Sequence, residues 1–343
     1  MPTTSRVAVL HVGGTIAMYP ASDGLAPKDG VVAQYLDQLT TLMGKDLPIA
    51  ELHMLPPLKD SADMTPSDWV RIANAIVEHG DEVDGFVVIH GTDTMAYSAS
   101  AVSFLLTGLN KPVVFTGAQL PLGDPRSDGR EHLITSLLIA GTLDIPEVCI
   151  YFGDRLLRGN RSQKVDSAAF IAFDSGNLPP LARAGVEVDL QHDLIRAPQS
   201  GKLQVRTLQQ HPEVISLRVY PGITPRLLAQ VMAAPVQGVV LETYGAGTFP
   251  SANEALVAVV AEAIERGVVV VNTSSVRSGR VRPGLYGTGA ALARVGVVSG
   301  QDMTPEAALT KLYCLLAEGR SPEETRRVMG LDMAGELTSN PEN

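Results

Sequence analysis

HGTDTMAYS, residues 90–98, and VGGTIAM, residues 12–18, are the two most informative stretches of this 343-residue chain. Each stretch begins where an apolar run ends, at residues 85–90 and 7–12, and such runs are typical of buried strands. Glycine and then threonine follow each run, with Thr92 in one stretch and Thr15 in the other. Open α/β sheets bind ligands at the carboxyl ends of their strands, so the two hydroxyls favour an enzyme with a threonine nucleophile.

Apolar runs alternate with amphipathic stretches along the whole chain, which indicates an α/β protein with parallel sheets covered on both faces. The predicted strands cover residues 7–12, 85–90, 112–116, 148–152, 214–219, 238–242 and 268–272. The predicted helices cover residues 66–78, 96–106, 225–233, 253–266, 305–317 and 322–329. Thr65 and Pro66 are typical of an N-cap followed by proline at the first helical position, which predicts where the first helix begins.

The alternation is interrupted between residues 185 and 211, where no apolar period is sustained. We therefore predict two α/β domains, a larger N-terminal parallel-sheet domain and a smaller C-terminal one. The predicted bounds are 1–188 for the first domain, 189–212 for a linker, and 213–343 for the second domain. Both threonine stretches lie in the first domain.

The composition argues against several classes of function. A net charge of −10 disfavours a nucleic-acid partner, because phosphate binding needs a positive surface. No apolar run approaches the roughly 20 residues that span a bilayer, and residues 1–10 lack a signal-peptide pattern, so we expect a cytoplasmic protein without membrane contact. Cys149 and Cys314 are expected to be buried free thiols, and no Cys/His spacing indicates a metal site.

In the first stretch, Gly13 and Gly14 allow a sharp turn and the close approach of a ligand to the backbone. Residues 19–28, which are rich in proline and glycine, are expected to form a mobile loop over a pocket. A phosphate-binding turn is the alternative, but the stretch matches neither G-x-G-x-x-G nor a Walker pattern.

In the second stretch, Thr92 and Asp93 precede a predicted helix whose N-terminus favours negative charge. This position suits a substrate carboxylate or a developing oxyanion, and Asp93 suits a substrate ammonium group. The alternative, that Thr-Asp-Thr only caps the helix, is equally consistent with this stretch alone.

Three further polar residues are candidates for the site. Lys164 would act as a base if it lay beside Thr92, because a desolvated amine loses its proton more readily; a solvated surface charge is the alternative. Asp60 and Ser61 precede the capped helix and are suited to bind polar groups of a substrate. The alternative for these two is a solvated loop with local hydrogen bonds.

Taken together and in this order, these stretches resemble the bacterial-type L-asparaginase family, and most closely its cytoplasmic type I enzymes. The resemblance covers nearly the whole chain. The stretches that carry it are GGTI at 13–16, DSADMTP at 60–66, HGTDTMAYS at 90–98, TGAQ at 116–119, RGNR at 158–161, NLPP at 177–180, YGAG at 244–247 and DMT at 302–304.

The resemblance implies hydrolysis of the side-chain amide of L-asparagine to L-aspartate and ammonia, without a metal or cofactor. Thr15 matches the threonine that attacks the amide carbon, and an acyl-enzyme on it is the family's usual proposal. Thr92 matches the second catalytic threonine, with Lys164 and Asp93 as its partners in a triad. These residues suit the chemistry, because amide hydrolysis needs a nucleophile, a base and oxyanion stabilisation.

The resemblance also implies how the substrate is held. Ser61 and Asp93 match residues that hold the α-carboxylate and α-amino groups, and Asp60 is expected in the same pocket. The backbone of Ala118 is expected beside the leaving amide. In the family, the site lies between the first domain of one subunit and the second domain of its neighbour, so we expect a homodimer or a homotetramer built from two dimers.

The sequence departs from the family at two positions. Many members carry a tyrosine in the loop after the first threonine, but Leu25 stands at that position, and we expect Tyr19 to supply the catalytic hydroxyl instead. An exposed loop aromatic is the alternative for Tyr19. Glu242 replaces an arginine that some type I enzymes use at an allosteric asparagine site, so we expect no such activation. Ala62, where periplasmic relatives have glutamine, agrees with type I.

Three alternative functions stay open. A glutaminase-leaning amidohydrolase is one, because one methylene is worth only about 1–3 kcal/mol of discrimination. A catalytically weak amino-acid-binding sensor is favoured by the missing tyrosine, but the four matching catalytic residues argue against it. The asparaginase-like subunit of an archaeal-type amidotransferase is disfavoured, because it carries an extra N-terminal domain for which we expect no room before residue 7.

Overall fold

The computed structural model of the chain describes residues 5–21, 24–27, 30–284 and 287–338, without the side chains of residues 19–21, 24–27, 45, 287 and 288. It divides into two compact units, Met1–Val205 and Arg206–Asn343. Each unit contains a sheet with parallel strands and covering helices, and the larger unit comes first. The predicted fold class is therefore confirmed.

The N-terminal unit alternates strands and helices as the sequence predicts. Its helices are α1 (Val31–Met43), α2 (Pro66–Glu78), α3 (Met95–Leu105) and α4 (Gly129–Thr142). Its strands are β1 (Arg6–Gly13), β2 (Met18–Ala21), β3 (Gly24–Pro27), β4 (Ile49–Lys59), β5 (Gly85–Ile89), β6 (Leu106–Thr107), β7 (Val113–Thr116), β8 (Val148–Phe152), β9 (Arg155–Arg158), β10 (Gln163–Lys164), β11 (Phe173–Asp174), β12 (Ala182–Ala184), β13 (Val188–Leu190) and β14 (Gln204–Val205).

The main sheet of this unit has the strand order β13-β12-β9-β8-β7-β5-β1-β4. The strands from β8 to β4 in this order are parallel, whereas β9, β12 and β13 extend the sheet by antiparallel pairing. The carboxyl ends of these parallel strands therefore lie side by side at the same end of the sheet, in the order β4, β1, β5 and β7. Every threonine, serine and aspartate that the sequence singled out follows one of these ends.

The core of the unit is built from alternate strand residues. Val7, Val87 and Val114 belong to one buried cluster with Val32 of α1 and Leu133 of α4. The intervening strand residues are buried as well, and α2 and α3 contact β1, β7 and β8. Because both faces are covered, these strands read as continuous apolar runs, which is why their positions were predicted well.

The strand β4 had no counterpart among the predicted strands. It lies at the edge of the sheet, and most of its side chains are partly or fully exposed. It also contains Pro56 and Pro57, which lack the N–H that a central strand needs and are tolerated at an edge. An edge strand with one covered side needs no long apolar run, so the periodicity did not reveal it.

The boundary between the units differs from the predicted linker at 189–212. The strand β13 joins the main sheet, the N–H of Gln199 donates to the carbonyl of Leu109 at 3.2 Å, and β14 pairs with β6. Residues up to Val205 thus belong to the N-terminal unit. They lack an apolar period because short backbone pairings hold them at the surface, where few of their side chains are buried.

The C-terminal unit is a second α/β domain. Its strands β15 (Glu213–Arg218), β16 (Val236–Thr243), β17 (Val269–Ser274) and β18 (Val298–Ser299) form a parallel sheet in that order. Its helices are α5 (Pro225–Val231), α6 (Glu254–Glu265), α7 (Gly287–Arg294), α8 (Pro305–Ala317) and α9 (Pro322–Met329). Residues of α5 and α6 join the apolar cluster on one face, and residues of α8 and α9 join the cluster on the other.

Three helices, α2, α8 and α9, begin and end at the predicted residues. In each, proline occupies the first helical position after a hydroxyl residue. The side chain of Thr304 accepts the N–H of Ala307, and that of Ser321 accepts the N–H of Glu324. These caps satisfy N–H groups that the helix leaves unpaired, and the residues that form them mark the start of the helix in the sequence.

No helix within the described ranges is long and apolar enough to cross a bilayer.

Candidate active site

Thr15 stands just beyond the carboxyl end of β1, at the start of a short 3-10 turn over Thr15–Ala17. Gly13 and Gly14 have φ angles of 132° and 97°, which side-chain-bearing residues rarely adopt. A Cβ on Gly13 would lie 2.0 Å from the carbonyl oxygen of Lys59, and one on Gly14 would lie 2.5 Å from the nitrogen of Gly91. The two glycines therefore let this strand end approach both neighbouring strand ends closely.

Ser61 follows β4 and contacts the stretch after β5. A Cβ on Gly91 would lie 2.6 Å from Ser61 Oγ. The N–H of Asp93 donates to Ser61 Oγ at 3.2 Å, and Thr94 Oγ1 donates to the Ser61 carbonyl at 2.7 Å. Because Ser61 is only 2% exposed, these contacts fix it against the threonine stretch. Asp60 is exposed, and its Oδ1 accepts the N–H of Ala62 at 2.9 Å.

Thr92, Asp93 and Lys164 form one connected group. Lys164 Nζ lies 2.7 Å from Thr92 Oγ1 and 2.7 Å from Asp93 Oδ1. Lys164 comes from β10, which β11 pairs with and holds in place. The side chain of Lys164 is 19% exposed and that of Asp93 is 64% exposed. An amine nitrogen at this distance can donate to both oxygens, and only a neutral amine can accept the proton of the Thr92 hydroxyl.

The stretch around Ala118 follows β7 and lies against two of the other strand ends. A Cβ on Gly117 would lie 2.3 Å from the carbonyl oxygen of His90. The N–H of Leu122 donates to the carbonyl of Ile16 at 3.0 Å. Ala118 itself is buried. The stretches that follow β1, β4, β5 and β7 are far apart in the chain, but they are neighbours at the carboxyl end of the sheet.

His90, at the end of β5, is fully buried beside this group. Its Nδ1 lies 2.7 Å from the carbonyl of Gly91, which can only accept, so Nδ1 carries the hydrogen. Burial lowers the pKa of His90 to about 4, against the opposing effects of the Gly91 carbonyl and the Asp68 carboxylate. His90 is therefore neutral at physiological pH and supplies no positive charge to the site.

Asp68 holds the loop that carries Ser61. Its carboxylate is only 5% exposed. It accepts hydrogen bonds from Lys59 Nζ at 2.7 Å and from Arg71 Nη2 at 2.9 Å. It also accepts the backbone N–H and the hydroxyl of Thr65, both at 2.8 Å. Asp68 thereby joins both ends of the loop, and Lys59 in turn accepts the N–H of Gly14 through its carbonyl at 3.2 Å.

Replacing Asp68 with asparagine is expected to lower the free energy of unfolding by about 2 kcal/mol at pH 7. Burial raises the pKa of Asp68, but the hydrogen bonds from Lys59 and Thr65 outweigh burial and lower the pKa below its ordinary value of 3.8. The carboxylate therefore stabilises the fold fully above that value and less as pH falls through the lower folded-state pKa. Urea unfolding at pH 7, 4 and 3 should show the difference between wild type and variant shrinking in acid.

The exposed Asp63, in the same loop, provides the matched control for this comparison. Asp63→Asn should leave the free energy of unfolding within about 0.5 kcal/mol of wild type. A wild-type advantage over Asp68→Asn that stays constant from pH 7 to pH 3 would contradict the assigned ionisation.

Two family models account for most of the chain. Residues 6–196 match the N-terminal domain of asparaginase, and residues 213–329 match the C-terminal domain of glutaminase/asparaginase. The chain belongs to the asparaginase family. The resemblance inferred from the sequence is thereby confirmed.

Individual members of the asparaginase family match over almost their full length. L-asparaginase 1 of Escherichia coli K12 is 42% identical over 332 residues, covering 97% of this chain and 98% of that protein. The crystal structure of L-asparaginase I from Vibrio cholerae is 41% identical with a TM-score of 0.90, covering 98% of this chain and 100% of that one. The thermostable L-asparaginase from Thermococcus kodakarensis is 36% identical with a TM-score of 0.89, again over 98% and 100% of the two chains.

The candidate residues carried over from the asparaginase family differ in how closely the structure joins them. Ser61, Thr92, Asp93 and Lys164 are linked by direct hydrogen bonds. Thr15 and Ala118 follow β1 and β7, the strands on either side of β5, and the neighbouring Gly14 and Gly117 approach the backbone of His90 and Gly91 closely. Asp60 is next to Ser61 but is engaged in capping its own turn.

The two departures from the asparaginase family lie in different units of the structure, Tyr19 in the N-terminal unit and Glu242 in the C-terminal unit. The backbone of Tyr19 lies in β2 and pairs with Ala26 of β3, while Pro20 pairs with Leu25. The side chain of Tyr19 lies outside the described residues, so the catalytic role expected for its hydroxyl stays a prediction. Glu242 lies on β16, and its Oε1 accepts the Ser216 hydroxyl at 2.8 Å; the expected loss of allosteric activation also stays a prediction.

Three residues around the site were not singled out from the sequence: Asp68, Asp128 and His132. Asp68 had a visible signal, because Thr65 and Asp68 have the spacing of a capping box. Asp128 and His132 lie at the start of α4 and contact the stretch after β7. Such contacts join positions that no local pattern connects.

Proposed function

We propose that this protein hydrolyses the side-chain amide of L-asparagine to L-aspartate and ammonia. The observation that carries the proposal is the contact of Lys164 Nζ with Thr92 Oγ1 and Asp93 Oδ1, both at 2.7 Å, beside Ser61 and the strand end that bears Thr15. The full-length likeness to L-asparaginase 1 of Escherichia coli supports the same reaction.

In the proposed mechanism, the hydroxyl oxygen of Thr15 attacks the amide carbon. The carbon–nitrogen bond then breaks, the nitrogen takes up the proton that the Thr15 hydroxyl has lost and leaves as ammonia, and an aspartyl ester stays on Thr15. A water molecule hydrolyses that ester, releases L-aspartate and restores the hydroxyl. Thr92, Lys164 and Asp93 move the protons of these steps, since a neutral Lys164 can accept the Thr92 proton at 2.7 Å.

We propose that Ser61 and Asp93 hold the amino-acid end of the substrate. Ser61 Oγ accepts the N–H of Asp93, and its own O–H is still available to donate to the α-carboxylate. The 64% exposure of the Asp93 side chain leaves its carboxylate accessible to the α-ammonium group. Asp60, one residue before Ser61, adds negative charge to the same pocket, and the Ala118 backbone faces the leaving amide.

These groups supply a nucleophile, a base and substrate contacts, so we propose a reaction that needs no metal or organic cofactor. Over the described part of the chain, no cluster of three or more histidine, cysteine, aspartate or glutamate side chains is suited to hold a metal ion. Turnover that is unchanged in the presence of a chelator is the expected result.

The wild-type enzyme, made in a host that lacks its own asparaginase, tests the proposal on three substrates. L-asparagine should give ammonia and aspartate in equal amounts, and L-glutamine should react with a kcat/KM at least about tenfold lower, as expected for one extra methylene. D-asparagine should react more slowly still. Tight binding of L-aspartate without any ammonia would favour the sensor instead, and faster release from L-glutamine would favour a glutaminase.

We also propose, from the family resemblance, that the chain assembles as a homodimer or a dimer of dimers and acts in the cytoplasm. Its partners are then its substrate and other copies of itself, rather than nucleic acid or a membrane. Light scattering after gel filtration should give the mass of two or four chains, and an active monomer would contradict this assembly.

A further inference from the structure

Asp128, which precedes α4, binds the backbone just after Ala118. Its carboxylate is 6% exposed. Oδ2 accepts the N–H of Gln119 at 2.9 Å, and Oδ1 accepts that N–H at 3.1 Å and the N–H of Leu120 at 3.0 Å. One buried carboxylate thus holds two successive N–H groups on the C-terminal side of Ala118, and bonds of this kind to a charged acceptor are strong.

His132, one helical turn further along α4, binds the backbone just before Ala118. Its Nδ1 lies 2.9 Å from the Gly117 carbonyl, which can only accept, so Nδ1 is the donor. Its Nε2 accepts the N–H of Gly153 at 2.8 Å. The ring is buried, and its two nitrogens join the end of β7 to the end of β8 in a single tautomer.

These bonds fix the peptide groups on both sides of Ala118. In a trans peptide, the carbonyl and the N–H of the same plane point in opposite directions. The N–H of Gln119 shares its plane with the carbonyl of Ala118, and it points at Asp128. The Ala118 carbonyl therefore points away from Asp128, while His132 holds the preceding plane through the Gly117 carbonyl.

We propose that Asp128, supported by His132, is a positioning residue that aims the Ala118 carbonyl at the amide nitrogen of the substrate. The inference rests on the proposed function, in which the Ala118 backbone lies beside the leaving amide. A carbonyl oxygen accepts a hydrogen bond from an amide N–H and from the departing ammonia. An ester of the same acid has no such N–H, so its hydrolysis gains nothing from this carbonyl.

Asp128→Asn tests the inference on two substrates, L-asparagine and the β-methyl ester of L-aspartate. Asparagine keeps the shape of the side chain but turns an NH2 group toward one of the two N–H groups. For the amide, kcat/KM should fall by about 10–100-fold, because small misplacements near the reacting atoms have effects of this size, while for the ester it should fall by less than about threefold. The Kd of L-aspartate should stay within about twofold, because Ser61 and Asp93 are untouched.

Asp124→Asn is the matched control, because Asp124 lies in the same loop and its Oδ1 accepts the N–H of Arg126 at 2.7 Å. It should leave both reactions within about twofold of wild type. If Asp128→Asn does not unfold cooperatively, His132→Leu takes its place, with the same selective loss of amide hydrolysis expected. His132→Gln, whose amide can donate to Gly117 and accept from Gly153, should restore most of it.

Equal losses of kcat/KM for the amide and the ester would overturn the positioning role of Asp128, since a general disturbance of the site affects both substrates. The proposed function would survive that result. A wild-type enzyme that releases no ammonia from L-asparagine would overturn the proposed function together with this inference.

Discussion

Replacing Thr15 with alanine is expected to lower kcat for L-asparagine by at least about 10⁴-fold, while KM changes by less than about threefold. Alanine removes the hydroxyl that attacks the amide carbon, but Ser61 and Asp93 still hold the amino-acid end of the substrate. The strand end keeps its position, because the contacts of Gly13 and Gly14 set it rather than the side chain of Thr15. Steady-state release of ammonia measures both constants.

A threonine outside the site controls for the loss of a hydroxyl as such. Thr41 lies on the exposed side of α1, and its Oγ1 donates to the carbonyl of Asp37 at 2.9 Å. Thr41→Ala should keep kcat within about twofold of wild type. Thr15→Ser, which retains a hydroxyl, should keep far more activity than Thr15→Ala. A Thr15→Ala enzyme with more than a tenth of the wild-type kcat would exclude Thr15 as the nucleophile.

Replacing Lys164 with methionine is expected to lower kcat by about 10²–10⁴-fold, the range over which a general base contributes. Methionine has a similar length but neither accepts nor donates a proton, so Thr92 and Asp93 lose the group that lies 2.7 Å from each of them. Rates measured by ammonia release at saturating L-asparagine report this loss directly.

The substitution Lys164→Arg distinguishes between two roles of Lys164, that of a base and that of a fixed positive charge. Arginine keeps the charge but cannot be deprotonated in a protein, so it should be nearly as impaired as Lys164→Met. Lys202 is exposed, and Lys202→Met should leave kcat unchanged. Recovery of more than half of the wild-type kcat by Lys164→Arg would show that the charge alone is needed.

The fold could be predicted from the sequence wherever one element is buried on all sides or begins at a marked cap. The strands β1, β5, β7 and β8 are continuous apolar runs, and α2, α8 and α9 begin at proline after a hydroxyl residue. The edge strand β4 and the antiparallel strands β12 and β13 gave no such pattern. They are short or partly exposed, and backbone pairing rather than a buried face holds them.

The candidate site could be predicted only as a set of stretches, not as a geometry. Nothing local to Lys164 indicates that it lies beside Thr92, 72 positions away in the chain. The contacts of Asp128 and His132 with the backbone around Ala118 likewise arise from the packing of α4 behind β7. Long-range placement of this kind follows from the order of strands in the sheet, which single-sequence patterns do not determine.

Mass spectrometry of acid-quenched enzyme shows which threonine is the nucleophile. Wild type is mixed with L-asparagine, quenched during turnover and digested, and the peptides that carry Thr15 and Thr92 are compared. The mechanism predicts an aspartyl ester on the Thr15 peptide and none on the Thr92 peptide. An ester on Thr92, or turnover by direct attack of water with no ester on either threonine, would contradict it.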